Sequence, residues 1–125
     1  MTTVLVVDDE ALIAMALEAA LQDAGYQVTT AANGRQGLER LAEAQVDIVL
    51  LDMMMPVMNG PAMLAAMAAD PVLSGIPVII LSSLPEATVR AQADGVAAIL
   101  RKPYTAGEVL RAIGQVLGEA DQPRT

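Results

Sequence analysis

The sequence predicts an α/β fold in which a parallel sheet is covered by helices on both faces. Short apolar runs alternate with helical patterns, and runs such as VLVV and IVLL lack the polar alternation of a half-exposed strand. Parallel strands need crossover connections, which the intervening helical patterns supply. With 125 residues, of which 54% are hydrophobic, the chain fits one domain with a substantial core.

Five strands and five helices are predicted in alternation. The strands are Val4–Val7, Gln27–Thr30, Asp47–Leu51, Pro77–Leu81 and Ala98–Arg101. The first helix carries an apolar stripe and should end at Gly25, because glycine is favoured after a helix. That stripe is Ile13, Leu17, Ala20, Leu21 and Ala24. The later helices are expected near Gly37–Leu41, Ala62–Ala69, Pro85–Ala93 and Val109–Leu117. We expect a single domain over residues 1–125, with a frayed tail at Glu119–Thr125.

The composition excludes several classes of function. A formal net charge of −8, from seven basic and fifteen acidic residues, argues against binding to nucleic acid or to an anionic membrane. The chain has no cysteine and no histidine, which excludes disulfides, thiolate or imidazole metal sites, and catalysis by a histidine. The N-terminal residues do not resemble a signal peptide, and no apolar run approaches membrane-spanning length, so we expect a cytoplasmic protein.

Polar residues follow four of the predicted strands. These are Asp8-Asp9, Asp52, Ser82-Ser83 and Lys102-Pro103. Taken singly, the acids read as caps or turn residues and the lysine as an ordinary surface residue. In an open parallel sheet, however, the carboxyl ends of the strands form the functional edge. Three carboxylates gathered there would repel one another unless a hard cation such as Mg²⁺ lay among them. Together with the only lysine and a hydroxyl, they suit phosphoryl transfer onto a carboxylate.

Read in order, four segments resemble the receiver domains of bacterial two-component response regulators. They are VLVVDDE at residues 4–10, LLDMMMPVMNG at 50–60, IILSS at 79–83 and LRKPY at 100–104. Each motif is weak alone, but four at these separations are specific, and the resemblance covers residues 3–118. It implies a flavodoxin-like, doubly wound parallel sheet of five strands with the order 2-1-3-4-5.

The resemblance implies that Asp52 accepts a phosphoryl group from a phosphohistidine on a histidine kinase or histidine phosphotransferase. Asp9 would bind Mg²⁺ directly, Asp8 mainly through water, and Met54 through its backbone carbonyl, with Asp52 completing the metal site. The chain would act as a signalling switch. It would not be an enzyme, beyond assisting its own phosphorylation and dephosphorylation.

The same resemblance gives roles to residues at the ends of the last two strands. Ser82 would donate a hydrogen bond to a phosphoryl oxygen, and Lys102 would pair with the phosphoryl group. The Lys102–Pro103 bond is expected to be cis. A downstream protein partner would bind the face made by the fourth helix, fifth strand and fifth helix, at about residues 86–117, and no nucleic acid would bind.

Two features depart from that pattern. Receiver domains usually place Tyr or Phe three residues before the lysine, where this chain has Ile99, so the usual aromatic readout cannot operate as described. Six methionines also cluster around the phosphorylation motif: Met53, Met54, Met55, Met58, Met63 and Met67. We interpret them mainly as adaptable core packing, with Met54 at the mouth of the site.

Three alternative functions remain. The chain could be the receiver portion of a DNA-binding regulator, which would need sequence beyond Thr125. It could be an adaptor that signals without phosphorylation, an alternative that Ile99 favours and the intact acids oppose. It could be a phosphatase of the haloacid dehalogenase type, but that family has a second aspartate where this chain has Met54.

Overall fold

A computed structural model of the chain describes residues 1–118, over which five strands and five helices alternate. The strands are β1 (Thr3–Val7), β2 (Gln27–Ala31), β3 (Ile48–Asp52), β4 (Val78–Ser82) and β5 (Ala98–Arg101). The helices are α1 (Ala11–Asp23), α2 (Gly34–Glu43), α3 (Gly60–Ala68), α4 (Glu86–Gln92) and α5 (Ala106–Leu117). The predicted tail, Glu119–Thr125, lies outside the described residues.

The five strands form one parallel sheet with the order β2-β1-β3-β4-β5, which confirms the predicted flavodoxin-like topology. The order places β1 and β3 side by side at the centre, with β4 next to β3 and β5 at the edge. The residues that follow these four strands therefore meet at one edge of the sheet.

Alternate strand residues pack on opposite faces of the sheet, because successive side chains of a strand point to opposite sides. On one face, strand residues such as Val4 and Val6 pack with α1 and α5. On the other, Leu5 and Val7 share a cluster with the buried methionines and with residues of α2, α3 and α4. Both faces are therefore buried, as the apolar runs predicted.

Two strands lie one residue later than predicted. The sequence predicted strands at Asp47–Leu51 and Pro77–Leu81, but β3 runs to Asp52 and β4 to Ser82. Asp52 pairs with Leu81, and Ser82 pairs with Arg101, so the ladder continues past the last apolar residue of each strand. The backbone of both residues is thus held inside the sheet.

The C-terminal end of α1 agrees with the glycine signal in the sequence, whereas α2, α3 and α5 begin two or three residues earlier than predicted. The α1 helix ends at Asp23, and Gly25 follows with φ 97°, the left-handed conformation that glycine adopts readily. The stripe predicted for α1 is partly wrong, because Ala24 is exposed and Ala14 is buried in its place. Among residues 1–118, no helix combines the length and the apolarity needed to span a membrane.

Candidate functional site

The carboxyl edge of the sheet brings three acids together. Asp8 and Asp9 follow β1, and Asp52 is the last residue of the neighbouring strand β3. One carboxylate oxygen from each of these residues lies within 4.8 Å of the other two. The acids that the sequence predicted as a cluster therefore share a single site.

Asp52 is buried at the centre of this cluster, with 6% of its surface exposed. The Lys102 ammonium donates a hydrogen bond of 3.1 Å to its Oδ1 atom. Burial raises the pKa of Asp52 above the ordinary value, and the lysine opposes that rise. A Cβ atom on Gly60 would lie 2.6 Å from the Asp52 carbonyl oxygen, so only glycine fits where α3 begins beside this residue.

Asp8 is more deeply buried than Asp52, and one of its two oxygens lacks a hydrogen bond. Its Oδ1 accepts a 2.9 Å bond from the Glu10 amide, whereas the buried Oδ2 has no hydrogen-bond partner within residues 1–118. The Lys102 ammonium lies 3.9 Å from Oδ2, beyond hydrogen-bonding distance. Burial, and then the charge of Asp52, raise the pKa of Asp8. The Lys102 ammonium therefore donates a hydrogen bond to Asp52 but not to Asp8.

The three carboxylates are suitable ligands for a hard divalent cation. All three acids offer oxygen atoms, the ligand type that Mg²⁺ and Ca²⁺ prefer. Asp9 is exposed, whereas Asp8 and Asp52 are buried, so a cation at the edge could be reached from solvent. The uncompensated Oδ2 of Asp8 is the kind of buried polar atom that an ion or an ordered water satisfies.

Ser82 lies at the end of β4, beside Lys102. Its hydroxyl is buried and accepts a 3.0 Å hydrogen bond from the Leu84 amide, which leaves its own proton available to a further acceptor. Its carbonyl accepts a 2.9 Å bond from the Lys102 amide. The Lys102–Pro103 bond is cis, as predicted. Ser82 and Lys102, which are predicted to contact the phosphoryl group, are therefore held next to each other by a backbone hydrogen bond.

Met54 lies at the mouth of the site and is 69% exposed. It lines a cleft of about 270 Å³ that also contains Asp52, Ser82 and Lys102. The prediction of core packing holds for three other methionines, since Met53, Met63 and Met67 are all buried in the same hydrophobic cluster. Ile99 packs, partly buried, against that cluster as well.

Two features of the site escaped the sequence analysis. The Tyr104 hydroxyl is buried without a hydrogen-bond partner among residues 1–118. Burial, and then the charges of Asp8 and Asp52, raise the pKa of Tyr104 to about 12. The Gly34 amide donates a hydrogen bond to the Met58 carbonyl, which joins α2 to the loop after β3. Neither feature has a local sequence signal, since each depends on residues far apart in the chain.

Comparison with known proteins agrees with this geometry. The sequence matches the family model for the response regulator receiver domain over residues 4–114. Protein PilH of Pseudomonas aeruginosa is 34% identical over 119 residues, covering 94% of this chain and 98% of PilH. The probable transcriptional regulator ycf27 of Porphyra purpurea is 35% identical over 98% of this chain, which spans only 50% of that regulator.

Solved structures show the same fold. The chemotaxis response regulator CheY4 of Vibrio cholerae aligns with a TM-score of 0.87 and 31% identity, covering 93% of this chain and 98% of CheY4. The receiver domain of the sensor histidine kinase PA1611 of P. aeruginosa, which has a magnesium ion in its active site cleft, aligns with a TM-score of 0.86 and 26% identity. That alignment covers 94% of this chain and 98% of the PA1611 domain.

The fold and the site define a signalling module whose acids gather at one edge of a parallel sheet. The chain belongs to the response regulator receiver domain family of two-component systems.

Proposed function

We propose that the chain is a phosphorylation-dependent switch in which Asp52 accepts the phosphoryl group. The observation that carries this proposal is the contact between the buried Asp52 carboxylate and the Lys102 ammonium, at 3.1 Å. A buried carboxylate is a poor nucleophile when protonated, and the lysine favours its charged form. Its position in a cleft open to solvent would let a phosphodonor approach.

The proposed reaction is an in-line displacement at phosphorus. An oxygen of Asp52 forms the new P–O bond while the P–N bond of a phosphohistidine breaks, and the leaving imidazole takes up a proton. Lys102 would pair with the negative charge of the transferred group, and the Ser82 hydroxyl would donate a hydrogen bond to one of its oxygens. These 125 residues contain no histidine, which fits a phosphohistidine supplied by a histidine kinase or histidine phosphotransferase.

Asp9, Asp52 and the Met54 carbonyl would hold Mg²⁺ directly, and Asp8 would act mainly through water. When bound, the cation supplies charge neutralisation between the acids and the incoming phosphoryl group. Asp9→Asn should weaken Mg²⁺ binding more than Asp8→Asn, because a direct ligand loses a bond to the ion. Equal effects in a calorimetric titration would contradict this assignment.

The proposed output is binding to a downstream protein through residues 86–117, without contact to DNA. Phosphorylation adds roughly one to two negative charges to a chain that already carries −8. The basic residues form no run: arginines at positions 35, 40, 90, 111 and 124 are scattered, and only Arg101 and Lys102 are adjacent. Duplex binding by this chain at low salt, lost on adding salt, would contradict the proposal, because non-specific DNA affinity is greatest at low ionic strength.

A small donor tests the function without knowledge of the partner. Phosphoramidate carries the same kind of P–N bond as phosphohistidine. With this donor and Mg²⁺, intact mass spectrometry should show one added phosphoryl group, which a chelator should prevent. An unchanged mass in the presence of both reagents would contradict the proposed switch.

A further inference from the structure

Met54 differs from the other methionines in combining exposure with a place in the acidic cleft. Of the eight methionines in the sequence, three are more than half exposed: Met1, Met15 and Met54. Of these three, Met54 alone lines the cleft that contains Asp52 and Lys102. Its neighbour Met53 is only 3% exposed, so a dissolved oxidant reaches the sulfur of Met54 far more readily.

Met54 also lines a second cleft. That second cleft has a volume of about 640 Å³ and lies between the loop after β3 and α4, with Met53, Leu84 and Thr88 among its lining residues. Because Met54 and Asp52 line the same cleft, a change in the polarity of the Met54 side chain would alter the solvent next to Asp52. We propose that Met54 is an oxidation site through which peroxide shortens the lifetime of the phosphorylated switch.

The reaction is a transfer of one oxygen atom from peroxide to the thioether. The peroxide O–O bond breaks, an S–O bond forms, and water leaves when the oxidant is hydrogen peroxide. The sulfur loses two electrons and the peroxide gains them, so no further reactant is needed. The product is methionine sulfoxide. Methionine sulfoxide reductases, one for each epimer, reduce it back to methionine.

The consequence follows from the polarity of the product. A thioether is a weak hydrogen-bond acceptor, so the unmodified Met54 side chain does little to hold water over the aspartyl phosphate. The sulfoxide oxygen is a strong acceptor and can hold a water molecule at the mouth of the cleft, where hydrolysis of the acyl phosphate needs one. One added hydrogen bond supports an increase of about two- to tenfold in the hydrolysis rate. This inference rests on the proposed phosphorylation of Asp52.

The test compares three proteins: the parent, Met54→Leu and Met15→Leu. Each is treated with hydrogen peroxide, quenched, and checked by peptide mass mapping for the position of oxidation. Each is then phosphorylated with phosphoramidate and Mg²⁺, the donor is removed, and the half-life of the phosphorylated form is followed by intact mass. Every oxidised sample is compared with its own unoxidised sample, because Met54→Leu can itself change the basal half-life.

We expect oxidation to shorten the half-life of the parent and of Met15→Leu, with no effect on Met54→Leu. Treatment of the oxidised parent with both sulfoxide reductases should restore the original half-life. An unchanged half-life in a parent oxidised at Met54, or an equal loss in Met54→Leu, would overturn the inference. Absence of phosphorylation in every unoxidised sample would instead overturn the proposed function of Asp52.

Discussion

The Gly34 amide donates a hydrogen bond of 2.8 Å to the carbonyl oxygen of Met58. This bond ties the first residue of α2 to the loop that leads from Asp52 to α3. The packing around it is tight, because a Cβ atom on Gly34 would lie 2.8 Å from both the Cγ atom and the carbonyl oxygen of Met58. A displacement of the loop that follows Asp52 would therefore act directly on α2.

Gly34→Ala tests this packing. The added methyl group would force the Met58 backbone away, and we expect the free energy of unfolding to fall by about 1–3 kcal/mol, as in other overpacked sites. Gly107→Ala is the matched control, because it also lies in the first turn of a helix but meets nothing closer than 3.9 Å. It should be neutral or stabilising by up to about 1 kcal/mol. Equal urea midpoints for the two variants would contradict the packing argument.

Lys102→Ala should separate phosphorylation from the structural response. Without the ammonium, the phosphoryl group would lose its partner at the end of β5, while the acids and the cation would still support some transfer. We expect the variant to gain a phosphoryl group more slowly and to show smaller amide shifts than the parent when beryllofluoride is added. Lys102→Arg keeps the charge and should recover part of the response. A shift equal to the parent's in Lys102→Ala would rule out this role.

Asp8→Asn should stabilise the protein in magnesium-free solution. Burial raises the pKa of Asp8 in the folded chain, so the folded state holds the proton more tightly than the unfolded chain. The free energy of unfolding therefore falls as pH rises from the unfolded value of 3.8 through the raised folded value. Asparagine removes this penalty at neutral pH, and its side-chain oxygen can still accept from the Glu10 amide.

Urea unfolding at pH 7 with a chelator measures this effect, with the exposed Glu39→Gln as the control. Relative to the parent, we expect a higher urea midpoint for Asp8→Asn and an unchanged midpoint for Glu39→Gln. Mg²⁺ at one hundred times its dissociation constant should raise the free energy of unfolding of the parent by about 2.7 kcal/mol. At the same Mg²⁺ concentration the gain should be smaller for Asp8→Asn. A lower midpoint for Asp8→Asn in chelator would contradict the burial argument.

Val57 should carry backbone strain. Its φ is 67°, a left-handed conformation that β-branched residues rarely adopt, and its side chain is 75% exposed. Val57→Asn should raise the free energy of unfolding by about 1 kcal/mol, because asparagine tolerates this conformation. Val72→Asn is the control, since Val72 is also well exposed, at 81%, but does not have a positive φ. Thermal or urea unfolding that ranks Val72→Asn as the more stabilising change would contradict the assignment.

Much of the fold could be predicted because the apolar runs and the glycines carry local signals. The strand boundaries were wrong by one residue at Asp52 and Ser82, where a polar side chain ended the apolar run but not the hydrogen-bonded ladder. Pairing between strands decides those ends, and pairing is not a local property of the sequence. The strand order came from the resemblance to receiver domains and not from the periodicity.

The sequence predicted which residues form the candidate site, but not how far each of them is buried or which of their polar atoms lack a partner. Asp8 and Asp9 are adjacent in sequence, but Asp8 is buried and Asp9 is exposed, because successive side chains of the segment that leaves β1 point in different directions. The uncompensated Oδ2 of Asp8 and the buried Tyr104 hydroxyl also follow from packing between distant segments. No spacing rule in the sequence indicates either one.

The position of the modified residue is the most direct test of the central claim. After phosphorylation with phosphoramidate and Mg²⁺, borohydride reduces an aspartyl phosphate to homoserine, which peptide mass spectrometry can locate. We expect homoserine at position 52 in the parent, none in a sample without donor, and no phosphorylation of Asp52→Asn. Homoserine at another aspartate, or undiminished phosphorylation of Asp52→Asn, would contradict the assignment of Asp52 as the phosphoryl acceptor.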